Sequence, residues 1–288
     1  MKTYFASKPA YPLPEIQGSW AYIKYPCVAE VKLDGEFDYL VGDGKTAYLI
    51  NTYGRVREDL PITQECAGFN GVLAGELYYN HGKSFFEEML SHKFAPELKF
   101  YAFDILRYGD RDLTGEQLDF RRMTLNPLIV GEHLRLAEQV LCKDKPAVEA
   151  FYQKVIGAGY EGIVVKNLQS RFVNGTCQSW MKLKHTETLD VYAIGYKKGK
   201  AAIAIGYLPS SIGRGNRGVP LGAVGNAGKE FNATLDMVKA QAVIAEDSEY
   251  CYVEPRYCLE VTHLGVLKSG MLRNPVMKRL RQDKERRG

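Results

Sequence analysis

Ala29-Glu30-Val31-Lys32-Leu33-Asp34-Gly35 is the stretch on which the reading of this chain turns. An amine follows an apolar, β-type run. A carboxylate stands two residues on, and a glycine turn comes directly after. A lysine at a strand end beside a turn can reach into a cleft while its stem stays fixed. It becomes a nucleophile only when its amine is partly deprotonated, by burial or by neighbouring cations. Alone, K-x-D-G equally describes a solvated lysine beside an Asp-Gly turn. The segments downstream give it weight.

The chain has 288 residues, enough for one large domain or two ordinary ones. An apolar share of 45% and a charged share of 25% are those of a globular protein. No apolar run approaches bilayer length, and the first residues, MKTYFASKPAYPLPEI, do not read as a secretory signal. The six cysteines form no C-x-x-C pair, which argues against a zinc site and points to reduced thiols in a cytoplasm. Net charge is +4, and its distribution is uneven. Residues 188–288 hold 16 Lys and Arg against 10 Asp and Glu, whereas residues 1–187 are slightly acidic. A basic segment joined to a near-neutral one suits a polyanion partner or simply a soluble basic surface.

Residues 26–50 read as strands with a hairpin turn at Gly42-Asp43-Gly44. GVLAGELYY (71–79) and LKFYAFDILR (98–107) are further strands, with helical spacing at 83–92 between them. Residues 116–126 and 146–157 read as helices, the second with Pro146 in its first turn. EGIVVKN (161–167) and SWMKLKH (179–185) are short strands. Beyond Lys184 the segments become short, β-rich and glycine-punctuated, the texture of a small barrel or sandwich. The expected boundary lies near 187–190, giving domains 1–187 and 188–288, and the tail KRLRQDKERRG is strongly basic.

Five segments stand beside the lysine. Gly75-Glu76 puts a carboxylate at a strand edge. Phe103 lies in an apolar strand, where it is either core or a stacking surface for a flat ring. Glu161 opens the next apolar strand and can hold a hard cation through oxygen. In Trp180-Met181-Lys182-Leu183-Lys184, period-two alternation puts both lysines on one strand face. Two ammonium groups there repel unless an anion lies between them; the other reading is an edge strand guarded by lysines. Arg281-Gln282-Asp283-Lys284 lies in the basic tail. Together these build a nucleotide pocket: carboxylates for ribose and Mg²⁺, lysines for a phosphate, and Lys32 to attack an α-phosphorus with pyrophosphate leaving.

The ordered series EVKLDG, AGEL, YAFDIL, EGIVVK, WMKLK and RQDK resembles the covalent nucleotidyltransferases, and more narrowly a minimal ATP-dependent DNA ligase of viral or phage type. The match runs from about residue 26 to 284. The resemblance implies an α+β fold: an adenylation domain of antiparallel sheets with flanking helices, followed by an OB-fold barrel. It implies ATP as cofactor, AMP carried covalently on Lys32, and Mg²⁺, for which Mn²⁺ can substitute. It implies nicked duplex DNA as partner, with no membrane, and a monomer in the cytoplasm, of the host cell if viral.

Carried over by position, Glu30 bonds the adenine amino group and Asp34 supports the lysine and the nick. Glu76 holds the ribose and assists the metal, and Phe103 stacks on adenine. Glu161 serves metal binding. Lys166 of EGIVVK belongs to the nucleotide set, and Lys182 with Lys184 holds the AMP phosphate. Arg281, Asp283 and Lys284 close over ATP in the first step, which implies a hinge near 185–190.

Two departures stand out. The family has arginine two residues after the motif glycine, where this chain has Phe37. It also has Ser-Arg-x-Gly in the next strand pair, where this chain reads Asn51-Thr52-Tyr53-Gly54-Arg55. Arg55 or Arg57 is expected to supply the missing cation. The glycine-rich stretch 206–222, with Arg214 and Arg217, is expected to order on the DNA backbone or to be an ordinary hairpin loop. No zinc cysteines or helix-hairpin-helix repeats point to the NAD-dependent ligases. An RNA ligase or RNA-tolerant ligase, and a non-catalytic DNA-end binding module, are the competing readings.

Overall fold

A computed structural model describes residues 10–12, 22–79, 97–175, 177–208, 218–225, 228–267 and 269–285. The expected helix at 83–92 and the loop arginines Arg214 and Arg217 lie outside the described residues. The chain forms two compact units, Met1–Lys184 and His185–Gly288.

In chain order the strands of the first unit are β1 (Ala10–Pro12), β2 (Cys27–Lys32), β3 (Glu36–Asp43), β4 (Ala47–Asn51), β5 (Val56–Arg57), β6 (Asn70–Tyr79), β7 (Leu98–Tyr108), β8 (Arg111–Asp112), β9 (Leu134–Leu136), β10 (Gln139–Cys142), β11 (Gly162–Asn167) and β12 (Cys177–Lys184). One sheet runs β1-β12-β11-β2-β10; the other runs β5-β4-β3-β6-β7-β8, with β9 parallel beside β7. The hairpin between β3 and β4 closes slightly later than its Gly-Asp-Gly suggests. The Asp43 amide donates to Thr46 O, and the Asp43 carboxylate caps the Lys45 and Thr46 amides.

The first sheet has two unlike faces because its strands alternate. Ala29, Val31, Ile163, Val165, Met181 and Leu183 point to one side and pack on Val148, Phe151, Tyr152 and Val155 of the helix Lys145–Gly157. That helix starts where the sequence says it should: the Asp144 side chain caps the Ala147 amide at 3.0 Å and proline sits in the first turn. Each fully buried aliphatic or aromatic side chain contributes about 1.5–3 kcal/mol by burial. This packing fixes the register of β2, β11 and β12. It thereby aims their other face, which carries the polar residues.

The second sheet buries Leu40, Leu49, Leu73, Leu77, Phe100 and Ile105 against Leu60, Ile62, Leu125 and Leu134. The helix Leu118–Leu125 lies against β7 through Leu118, Arg121 and Leu125.

The second unit is built on β13 (Glu187–Lys197), β14 (Ile203–Tyr207), β15 (Val219–Val224), β16 (Val243–Glu246), β17 (Tyr250–Val253), β18 (Cys258–His263) and β19 (Val276–Leu280). One half of β13 pairs with β18 and the other with β17, while its opposite edge pairs with β14. The sequence reading anticipates strands alone here, and the helix Lys229–Lys239 corrects it. Phe231, Thr234, Leu235 and Val238 recur at helical spacing and are buried, the first, third and fourth against Val191, Ile203 and Leu259.

Candidate active site

β2, β11 and β12 hydrogen-bond side by side, and their register lines up the motif residues in rows. Lys32 lies opposite Gly162, and Gly162 opposite Lys184. Two residues back, Glu30 lies opposite Val164, and Val164 opposite Lys182. Two further, Val28, Lys166 and Trp180 form the next row. All three rows project from the face opposite the helix-packed core. β12 is an interior strand, flanked by β1 and β11, so its lysines do not guard an edge. Two glycines make the site geometrically possible. A Cβ on Gly35 would lie 2.1 Å from Leu77 O, and one on Gly162 would lie 2.1 Å from Leu183 O. Glycine therefore lets the Asp34 turn close on β6 and lets β11 begin tight against β12.

Glu161 stands between Lys32 and Lys184. Its carboxylate is ion-paired with Lys32 through one oxygen and with Lys184 through the other, the latter at 2.6 Å. Burial raises the Glu161 carboxyl, but the two ammonium groups outweigh it and hold the group below its ordinary value. Glu76, on β6, accepts the Gly35 amide at 3.0 Å. Burial pushes its carboxyl up to about 7, against the pull of Lys32. Asp34 and Lys182 stand partly buried in the same region.

At the far end of the rows, Lys166 and Glu30 form an ion pair, 2% and 3% exposed. Lys166 Nζ also lies 4.4 Å from the centroid of Phe103 and 4.0 Å from that of Trp180. Burial pushes the Glu30 carboxyl up and the Lys166 amine down, while their contact opposes both shifts. The flanking ring faces add to the ammonium's stabilisation.

Sequence reasoning missed the support behind Phe103. Arg121, wholly buried, grips Asp104 with two parallel hydrogen bonds, Nε to Oδ1 at 2.7 Å and Nη2 to Oδ2 at 2.9 Å. Its Nη1 donates to Glu116 O and Ser170 O. The spacing Leu118, Arg121, Leu125 puts an arginine on a buried helix face and is the signal that finds it.

The corner where arginines are lacking is organised differently. Phe37 packs edge-on to Tyr39 at 4.9 Å and beside Phe103 at 5.9 Å. Arg57 is ion-paired with Glu36 and bonds both Asp38 oxygens at 3.2 Å. Burial pushes the Asp38 carboxyl up to about 8 despite that contact. Arg55 is exposed.

In the second unit, Arg281 bonds both oxygens of Asp190 at 3.0 Å and pairs with Asp283 at 2.7 Å. Lys284 reaches Asp190 at 2.6 Å. Arg281 holds the Asp283 carboxyl down at about 2.

Residues 71–184 match the family model described as ATP dependent DNA ligase domain. This segment, from β6 to β12, is similar to an ATP-dependent DNA ligase domain. Among curated relatives, the chain is similar to a DNA ligase of Thermococcus onnurineus (30% identical, 69% of this chain, 37% of the relative). It is likewise similar to a DNA ligase of Thermococcus fumicolans (29% identical, 65% of this chain, 36% of the relative). The chain thus spans little more than a third of the length of these relatives. Among solved structures, a Lig E DNA ligase aligns over 94% of this chain and 99% of its own, with TM-score 0.67 and 18% identity. The ligase domain of Mycobacterium tuberculosis LigD aligns over 97% and 96%, with TM-score 0.51 and 22% identity. These likenesses carry the fold, an α+β nucleotidyltransferase arrangement followed by an OB-fold unit.

Proposed function

We propose that this chain is a DNA ligase that seals 5′-phosphate/3′-hydroxyl nicks in duplex DNA with ATP. The observation that carries the reading is the row Lys32–Gly162–Lys184, with the Glu161 carboxylate held between the two ammonium groups. In the first step Lys32 Nζ, as the neutral amine, attacks the α-phosphorus of ATP. An N–P bond forms, the P–O bond to pyrophosphate breaks, and the amine's proton is released. Ion pairing with Glu161 keeps Nζ at the phosphate end of the face. Lys182 and Lys184 counter the charge that builds on the phosphoryl oxygens. AMP then passes to the 5′-phosphate of the nick, and the 3′-hydroxyl displaces it.

The other side chains follow from their rows. Glu30 takes the adenine amino group and Phe103 the ring face, with Lys166 at that same base end. Glu76 takes the ribose, and Asp34 supports the lysine and the nick. Arg281, Asp283 and Lys284 serve the ATP step. Residues 1–187 are assigned to adenylation and 188–288 to an OB-fold domain.

Glu76 and Glu161 are the hard oxygen donors near Lys32. Among the described residues no group of three or more metal-ligating side chains occurs. Two carboxylates fit Mg²⁺, or Mn²⁺, that shares its coordination with substrate phosphates rather than sitting in a protein cage. Such an ion supplies charge neutralisation at the phosphates.

The substrate is nicked duplex DNA, and the chain acts as a monomer in the cytoplasm. No helix among the described residues is long and apolar enough to cross a membrane. The absence of arginine at Phe37 and Thr52 favours one alternative, an RNA-tolerant ligase. A denaturing-gel sealing assay with ATP and Mg²⁺ on all-DNA and RNA-containing nicks separates the two. Sealing of the DNA nick supports the proposal. Preference for RNA overturns its substrate, and no product or intermediate on either nick overturns it altogether.

A further inference from the structure

At position 37 a phenyl ring stands where the resemblance calls for an arginine. That ring has a defined place. Phe37 lies opposite Glu76 in the pairing of β3 with β6, and Tyr39 lies opposite Ala74. Period-two alternation puts residues 37 and 39 on one sheet face. Tyr39 is 1% exposed, and Phe37 sits edge-on to it, with centroids 4.9 Å apart and planes at 87°. The half-buried Phe37 ring is thus held in place by a buried one.

Phe103 meets it from the other side of β6. In the pairing of β6 with β7, Gly75 faces Ala102 and Ala74 faces Asp104, so Phe103 is the extra residue of a bulge. A bulge bends its strand and re-aims the side chain it frees. Strands two apart in a sheet lie about 10 Å from each other. Rings on β3 and β7 therefore meet only over small residues, and β6 presents Ala74 and Gly75 there. The Phe37 and Phe103 centroids are 5.9 Å apart, with planes 34° from parallel. From the first sheet, the Lys166 ammonium and the Trp180 ring reach Phe103 at 4.4 Å and 6.0 Å. Phe103 is gripped from both sheets, and Phe37 supplies the grip of the second.

We infer that Phe37 is a positioning residue of the nucleotide site: it fixes the Phe103 ring and so sets how tightly the site holds the base of ATP. The inference rests on the reading that Phe103 stacks on adenine, and it gives Phe37 a role that no motif supplies. An arginine here would offer charged donors to phosphate oxygens, whereas a phenyl ring offers them nothing. What the ring offers is an aromatic contact that orders Phe103 before the base arrives. Without it, that ordering falls on binding, at a cost of roughly two- to tenfold in affinity for one immobilised side chain. The effect belongs to the base end of ATP. The phosphate end, with Lys32, Lys182 and Lys184, is left alone.

The test is self-adenylation of the full chain, read as radiolabelled AMP transferred from ATP, for wild type, F37A, F37L, F37Y and F37R. Tripolyphosphate, which has the phosphates of ATP and no base, serves as competitor. F37A and F37L are expected to raise the ATP concentration for half-maximal rate about fivefold, with the saturated rate within about twofold of wild type. Inhibition by tripolyphosphate is expected to be unchanged, a split that general damage to the fold would not give. F37Y should restore the wild-type value and F37R should not. F37L keeps apolar bulk at the position should F37A fail to fold. Wild-type ATP dependence in F37L, an equal loss of tripolyphosphate affinity, or full function in F37R would overturn the inference while leaving the ligase reading intact. Failure of the wild-type chain to take up AMP would overturn both.

Discussion

The ammonium of Lys32, the last residue of β2, is ion-paired with Glu161, which precedes β11 and lies 129 residues downstream. That one carboxylate also holds Lys184. Three motif segments therefore meet at a single anion, which neutralises two lysines that the strand register brings into one row. Replacing the carboxylate by its amide in E161Q leaves two cations facing each other across Gly162. The expected result is a loss of lysine adenylation of at least 100-fold, with a stability loss of about 1–3 kcal/mol in urea melts. Adenylation within a few-fold of wild type would show that Glu161 has no part in the step.

Arg121 is expected to be the costliest single truncation in the first unit. R121M leaves Asp104 buried without its partner, and breaking such a pair costs about 3–5 kcal/mol. Denaturant unfolding measures it directly. A loss under 1 kcal/mol would mean that Asp104 is solvated or neutral and that the pair is not what holds β7 behind Phe103.

Arg57 is expected to behave as part of the fold and not as a DNA contact. R57A should destabilise the chain by about 2–4 kcal/mol, because Asp38 and Glu36 lose a shared cation. The salt dependence of nick binding should be unchanged. A flattened salt slope in a folded R57A would show that the guanidinium leaves its carboxylates to meet a phosphate.

The raised carboxyl of Glu76 gives a signed pH effect. Its folded value of about 7 stands above the ordinary glutamate value of 4.5. Between those limits the folded chain keeps a proton that the unfolded chain has released. Stability attributable to this group therefore falls as pH rises from about 4.5 to about 7, by up to about 3 kcal/mol. E76Q lacks that contribution, so the gap in stability between wild type and E76Q should shift in favour of E76Q from pH 5 to pH 8. A gap that stays constant would place the Glu76 carboxyl at an ordinary value.

Much of the site is legible in the sequence because it is written in short strands. Period-two alternation in WMKLK puts Lys182 and Lys184 on one face, and they share it in the structure. Which strands lie side by side is not legible. The pairing of β2 with β11, residues 27–32 with 162–167, depends on apolar packing against the helix Lys145–Gly157, which no local pattern encodes. The buried pair of Arg121 and Asp104 escapes a motif search because it joins a strand to a helix, and only the helical spacing around Arg121 hints at it. The helix Lys229–Lys239 is legible from its 3–4 spacing, but the glycine-rich stretch before it and the short strands after it mask it in a reading that favours strands.

The central claim is covalent transfer of AMP to Lys32. Intact-mass and peptide-level mass spectrometry of the wild-type chain and K32A, each incubated with ATP and Mg²⁺ and no DNA, tests it most directly. The account predicts one AMP adduct, mapped to Lys32, and none in K32A. An adduct on K32A, or on another residue of the wild type, would contradict it.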